Sequence, residues 1–99
     1  MSVCTGSLVL GAAGLLAGKR ATTHWMALGL MRQLLPDVTV EDGLHWVEDG
    51  VLTSAGISAG IDLSLRVVGK LCGEEVARAT ARYMEYPYPE DATRRVVVG

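Results

Sequence analysis

The stretch MSVCTGSLVLGAAGLLAGKRATTHW, residues 1–25, decides how the rest of the chain is read. Three residues, Met1–Val3, run straight into Cys4, and Thr5, Gly6 and Ser7 follow before a small-residue apolar run begins. Leu8, Val9, Ala12, Ala13, Leu15 and Leu16 recur at spacings that predict a helix over 5–16, apolar on most of its faces. Gly18 supplies its C-cap, with Lys19 and Arg20 near the negative end of the dipole. A scrap of strand, a cysteine and a helix start in immediate succession is the layout of a nucleophile elbow. Such a sharp turn holds the side chain at the carboxyl edge of a sheet, where the ligand crevices of α/β proteins lie. Backbone N–H groups at a helix start favour a thiolate and bind a developing anion. Gly6 permits close backbone approach, and Thr5 or Ser7 can cap the helix or donate a hydrogen bond. A solitary cysteine is otherwise a small buried hydrophobe, so the layout alone leaves both readings of Cys4 open.

The same stretch reads as a buried helix rather than a targeting segment. No basic residue precedes the apolar run; Lys19 and Arg20 follow it instead, and Cys4 stands before the run rather than after it. From Leu8 to Leu16 the run is far shorter than the ~20 residues of a membrane span. With 49% hydrophobic and 20% charged residues, the 99-residue chain can bury a core as one small domain or part of a larger one. A net charge of −2 offers no basic footprint for nucleic acid. Two cysteines as far apart as Cys4 and Cys72 make no disulfide framework, which points to a reducing cytoplasm.

Downstream, the segments alternate in type. RATTH (20–24) is short and β-branched and reads as a strand. WMALGLMRQLL (25–35) carries Met26, Leu30 and Leu34 at helical spacing, and Pro36 stops it. VTV (38–40), LHWV (44–47) and VLTS (51–54) are strand-sized, bracketed by two EDG turns at 41–43 and 48–50. Ile61, Leu65, Val68 and Cys72 form a helical stripe that places Cys72 in the core, and EEVARATARYMEY (74–86) is a second amphipathic helix ended by Pro87 and Pro89. Glu74 and Glu75 sit at its positive end, with Arg78 one turn on. The order strand, helix, strand, helix, strands, helix, helix implies an α/β layered fold with a mostly parallel sheet.

Taken together, SVCTGSLVLGAAGLLAGKRATTHW (2–25) and TSAGISAGIDLSL (53–65) resemble the ThiJ/PfpI superfamily, within the class I glutamine amidotransferase-like proteins. The resemblance is closest to the branch holding isonitrile hydratases and the sensing domains of AraC-type regulators, and runs from Ser2 to about Pro89. It implies the C-terminal half of a flavodoxin-like three-layer α/β/α sandwich, residues 1–99 being a partial domain that starts at the elbow. Cys4 matches the reactive cysteine and Thr5 the residue beside it, where the protease-like branch has His. His24 matches a histidine that lies near the cysteine in the deglycase branch. Gly56 and Ser58 belong to the loop leading into the helix beside the pocket, with Gly60 packing closely and Asp62 in the first helical turn. The activity implied is addition of water to an isonitrile through Cys4, Thr5 and His24, with Gly6, Gly56 and Ser58 lining the ligand site. The alternatives are a sensing domain that binds a small molecule without turnover, and an inactive remnant. Family members are about twice this length and supply an acidic partner for the cysteine from their first half, so a second chain, as in a homodimer, would be needed to complete the pocket. No cofactor is implied, and the spacing of Cys4, His24, His45 and Cys72 fits no metal site. His45, between acidic turns, reads as exposed, and Trp25 and Trp46 as packing anchors.

Overall fold

In the computed structural model, which describes residues 1–99, four helices and five strands carry the layers. After residues 1–3, held by an isolated bridge at Ser2, come α1 (Gly6–Ala12), β1 (Arg20–Ala21), a 3-10 turn (Trp25–Ala27) running into α2 (Leu28–Leu34), and β2 (Thr39–Val40). A hairpin follows, β3 (Trp46–Asp49) and β4 (Val51–Ser54), then two helices, α3 (Ser58–Cys72) and α4 (Glu74–Tyr83). A second 3-10 turn (Ala92–Arg94) leads to β5 (Arg95–Val97).

The pairing is mostly parallel. Thr39 and Val40 run parallel to Arg20 and Ala21, and β5 runs parallel to β3 in the register Val47 to Val96. Ser2 bridges Thr53 in parallel, its amide bonded to the Leu52 carbonyl at 2.8 Å and its carbonyl accepting from the Ser54 amide at 3.0 Å. The exception is the antiparallel β3–β4 ladder, which pairs Asp49 with Val51 around Gly50. Gly50 has φ +70°, a left-handed conformation that suits glycine, and this is what the second EDG turn encodes.

One core gathers Leu16, Ala21, Met31 and Val38, joined by Leu8, Leu10 and Leu35 from the flanking helices. On α2 the buried positions are Leu28 and Met31, so the helix is rotated relative to the expected stripe; Met26, Leu30 and Leu34 face outward. α1 also stops four residues short of Leu16, which enters the core from the turn that follows. The expected strand over 20–24 is paired only at Arg20 and Ala21; Thr22 and Thr23 instead turn their polar groups to β4 and the elbow.

α3 lies against β3 and β4, and α4 lies against α3 through buried Ala77 and Ala81. All the buried residues of α3 fall between Ala59 and Leu65. Four-residue strands are ~13 Å long, whereas a fifteen-residue helix is ~22 Å, so its last two turns overrun the sheet. Cys72 lies there, exposed rather than in the core. The C-terminal segment is fastened over these helices. Arg78 stacks on Tyr88 at 4.3 Å and binds both carboxylate oxygens of Glu90, at 2.8 and 3.4 Å, while the Tyr88 hydroxyl donates to Glu74. No helix is long and apolar enough to cross a membrane.

Candidate functional site

Cys4 occupies the turn between the bridged segment 1–3 and α1 with φ +57°, a region that costs an L-residue with a β-carbon ~1–2 kcal/mol. The surroundings hold it there. Its amide donates to the Ala55 carbonyl at 3.2 Å, and its carbonyl accepts from the Thr23 hydroxyl at 3.0 Å and the Ser7 hydroxyl at 3.5 Å. Thr23 and Ser7 are buried, and the Gly6 amide closes the turn on the Val3 carbonyl at 3.0 Å. A β-carbon on Gly6 would stand 3.4 Å from that of Ser2, an ordinary van der Waals contact, so the packing here does not require the glycine that the sequence suggested for close approach. Ser2 Oγ, beneath this turn, is buried without a hydrogen-bond partner. Thr5 is exposed and makes no capping hydrogen bond; Ser7 is the residue whose hydroxyl serves the elbow.

A cavity of about 370 Å³ opens beside this turn. His24, Gly56 and Ser58 line it; Cys4, Thr5 and Gly6 do not. The elbow meets its wall through Thr23 and Ala55, the two lining residues that bond the Cys4 backbone. The six residues singled out in the sequence thus divide into an elbow group and a cavity group, joined by those two hydrogen bonds. His24 lies over Gly56, where any β-carbon would collide with its ring, and that contact explains the glycine. Ile57 beside it has φ +46°, so the Gly56–Ser58 loop is itself held in a tight, strained turn before α3.

Several wall residues escaped the sequence reading. Trp25 is 72% exposed and its ring stacks on His24 at 5.9 Å, so it is a surface of the cavity rather than a packing anchor. Trp46 is the buried one, with the Arg66 guanidinium 5.6 Å from its ring centre. Asp42, Arg94 and His45 complete the polar lining. His45 is only half-exposed: its Nδ1 sits 2.9 Å from Asp62 Oδ2, and its backbone bonds Arg94 and Ala55. Asp62 lies one turn deeper in α3 than expected and is buried; the Tyr86 hydroxyl donates to its other oxygen at 2.5 Å. Burial, the hydrogen bond to Asp62 and the charge of that carboxylate, in that order, push the Tyr86 phenol up to about 12. No group of three or more His, Cys, Asp or Glu side chains is placed to hold a metal ion.

The sequence profile of the DJ-1/PfpI family matches residues 1–70. The chain is 51% identical over 86 residues to the isonitrile hydratase of Pseudomonas putida, covering 86% of this chain and 36% of that protein. It is 41% identical over 73 residues to the HTH-type transcriptional regulator CdhR of Pseudomonas aeruginosa, covering 74% of this chain and 22% of the regulator. Among solved structures, a ThiJ/PfpI family protein from Pseudomonas syringae superposes with a TM-score of 0.75 at 35% identity, over 92% of this chain and 38% of that one. A DJ-1 superfamily protein from Salmonella typhimurium gives 0.71 at 28% identity, over 88% and 45%. The chain therefore spans less than half the length of each of these relatives, and its fold is a part of theirs, a partial flavodoxin-like α/β arrangement. A cysteine held left-handed at a strand-to-helix turn, beside a cavity walled by the TTH and SAGIS segments, agrees with that match over most of the sequence: the chain belongs to the DJ-1/PfpI family.

Proposed function

We propose that residues 1–99 carry the cysteine-bearing part of an isonitrile hydratase-type site, in which Cys4 adds to the isonitrile carbon and water releases an N-substituted formamide. The observation that carries this reading is the left-handed Cys4 backbone, held by Thr23, Ser7 and Ala55 although glycine would sit there without strain. The 51% identity to an isonitrile hydratase supports this chemistry over others available to an elbow cysteine. The thiolate sulfur bonds to the isonitrile carbon, which takes up a proton to give a thioimidate. Water then adds to that carbon, one hydrogen passing to nitrogen, and expulsion of the thiolate leaves the formamide. Overall one water is consumed and no electrons are exchanged. Thr5 assists by hydrogen bonding, the backbone amides at the start of α1 steady the adduct, and His24 lines the neighbouring cavity. Because the relatives are more than twice as long, the opposite wall is completed either by segments that correspond to the rest of those relatives or by a second copy of this chain.

The test is mass-spectrometric detection of formamide from a simple alkyl isonitrile. Turnover that vanishes in C4S and persists in C72S supports the proposal. Saturable binding of the isonitrile with no turnover would replace it with the sensing role suggested by the similarity to the regulator. Turnover undiminished in C4S would end it.

A further inference from the structure

The two histidines of the cavity are fixed in opposite tautomers. His24 Nδ1 accepts the Met26 amide at 3.1 Å. An imidazole nitrogen that accepts a backbone N–H carries no proton, so in the neutral ring the proton is on Nε2, the atom held over Gly56. His24 therefore offers the cavity a donor. His45 is the reverse. A carboxylate only accepts, so Asp62 Oδ2 at 2.9 Å requires the proton on His45 Nδ1, and in the neutral ring this leaves Nε2 as a bare lone pair. Asp62 is itself held in place by the Tyr86 hydroxyl, which remains protonated, and therefore a donor, to about pH 12. His45 stands on the wall between the cavity and the groove that contains Asp62 and Tyr86. Its Nδ1 is the nitrogen bonded on the groove side, to Asp62, and no protein group bonds its Nε2.

We propose that this cavity binds a secondary amide, its carbonyl accepting from His24 Nε2–H and its N–H donating to the His45 Nε2 lone pair. The remaining charges fit a neutral ligand, since the wall carries one carboxylate, Asp42, and one guanidinium, Arg94. The exposed face of Trp25 lies beside the donor histidine and suits an apolar nitrogen substituent. The inference rests on the hydratase reading in that an N-substituted formamide is a secondary amide. It makes the cavity the place where product is held, and assigns to His45, Asp62 and Tyr86 a recognition role that the sequence did not suggest.

The experiment uses the full chain with Cys4→Ala, which removes the covalent chemistry and leaves the cavity untouched. N-butylformamide and N-butyl-N-methylformamide, which lacks the N–H, are titrated while the imidazole resonances are followed by long-range proton–nitrogen NMR. Before ligand is added, His24 shows the Nε2–H tautomer and His45 the Nδ1–H tautomer. The secondary amide binds about tenfold tighter than the tertiary one, the worth of one neutral hydrogen bond. H45F abolishes that preference, whereas H24F weakens both amides alike. Equal binding of the two amides, or the same tautomer at both rings, overturns the proposal; both readings come from C4A itself, so they decide even where H45F does not fold. Amide preference retained in C4A, with no isonitrile turnover in the parent chain, would remove the hydratase reading alone. Turnover with no amide preference would remove this inference alone.

Discussion

At the scale of single residues, Tyr86 makes the sharpest prediction. Its phenol pKa rises from 10.0 to about 12 in the fold, so the protonated form is favoured by folding. The stabilisation is whole below pH 10 and drains away as pH climbs to about 12, because the unfolded chain ionises first. Urea midpoints should therefore fall over that window, and Y86F should be less stable at pH 8 but flatter above pH 10; parallel curves would refute the assignment. What was legible at this scale had local causes. Cys4 stood out because strand, cysteine and helix start are consecutive, and Gly56 because a motif brackets it. His45 and Asp62 were not legible as a pair. They are 17 residues apart, on a strand end and a helix, and only the packing of α3 on β3 brings them to 2.9 Å.

Among the elements, α3 and the β3–β4 hairpin are tied by Glu48, which accepts from Lys70 at 2.7 Å and Arg66 at 3.2 Å. The hydrogen bond to Lys70 is the main cause that holds the Glu48 carboxyl below its ordinary 4.5, against the opposing effect of burial. A lowered carboxyl contributes stability above its ordinary value and loses it as pH falls through the lowered one. E48Q should accordingly cost about 1 kcal/mol at pH 7, where the partners are partly exposed, and almost nothing in acid. The other joint is Gly60, where a β-carbon would approach Val3 Cγ1 to 2.5 Å. G60A should push the elbow strand off α3, costing ~1–3 kcal/mol and slowing Cys4 alkylation relative to the exposed Cys72; unchanged relative rates would show that strand and helix are uncoupled. Helix and strand types were readable from periodicity. Their rotation was not: α2 buries Leu28 and Met31 instead of the Met26, Leu30 and Leu34 stripe, a choice made by what the helix packs on.

For the whole molecule, the outward side chains of Trp25, Met26, Leu30 and Leu34 leave the α2 side markedly apolar, with Val9 and Leu15 exposed on and just after α1. Patches of this kind mark contact surfaces. The isolated chain should self-associate, its apparent mass in light scattering rising above 10.5 kDa with concentration, and L30E with L34K should restore the monomer without lowering the melting temperature. A monodisperse parent monomer would contradict this. The layered class was legible from the alternation of segments. The antiparallel turn-back of β4 was less so, because an EDG turn specifies a reversal without saying which strands it pairs.

The left-handed backbone at Cys4 also carries a historical consequence. Glycine at that position would relieve the strain, so C4G should be more stable than C4A, and more stable than the parent if no cavity opens. Random drift freed from chemistry would therefore have a downhill route away from cysteine. A lineage that keeps cysteine here does so against its own folding preference, and the residue found at this one site across descendants serves as a gauge of whether selection still acts on the thiol.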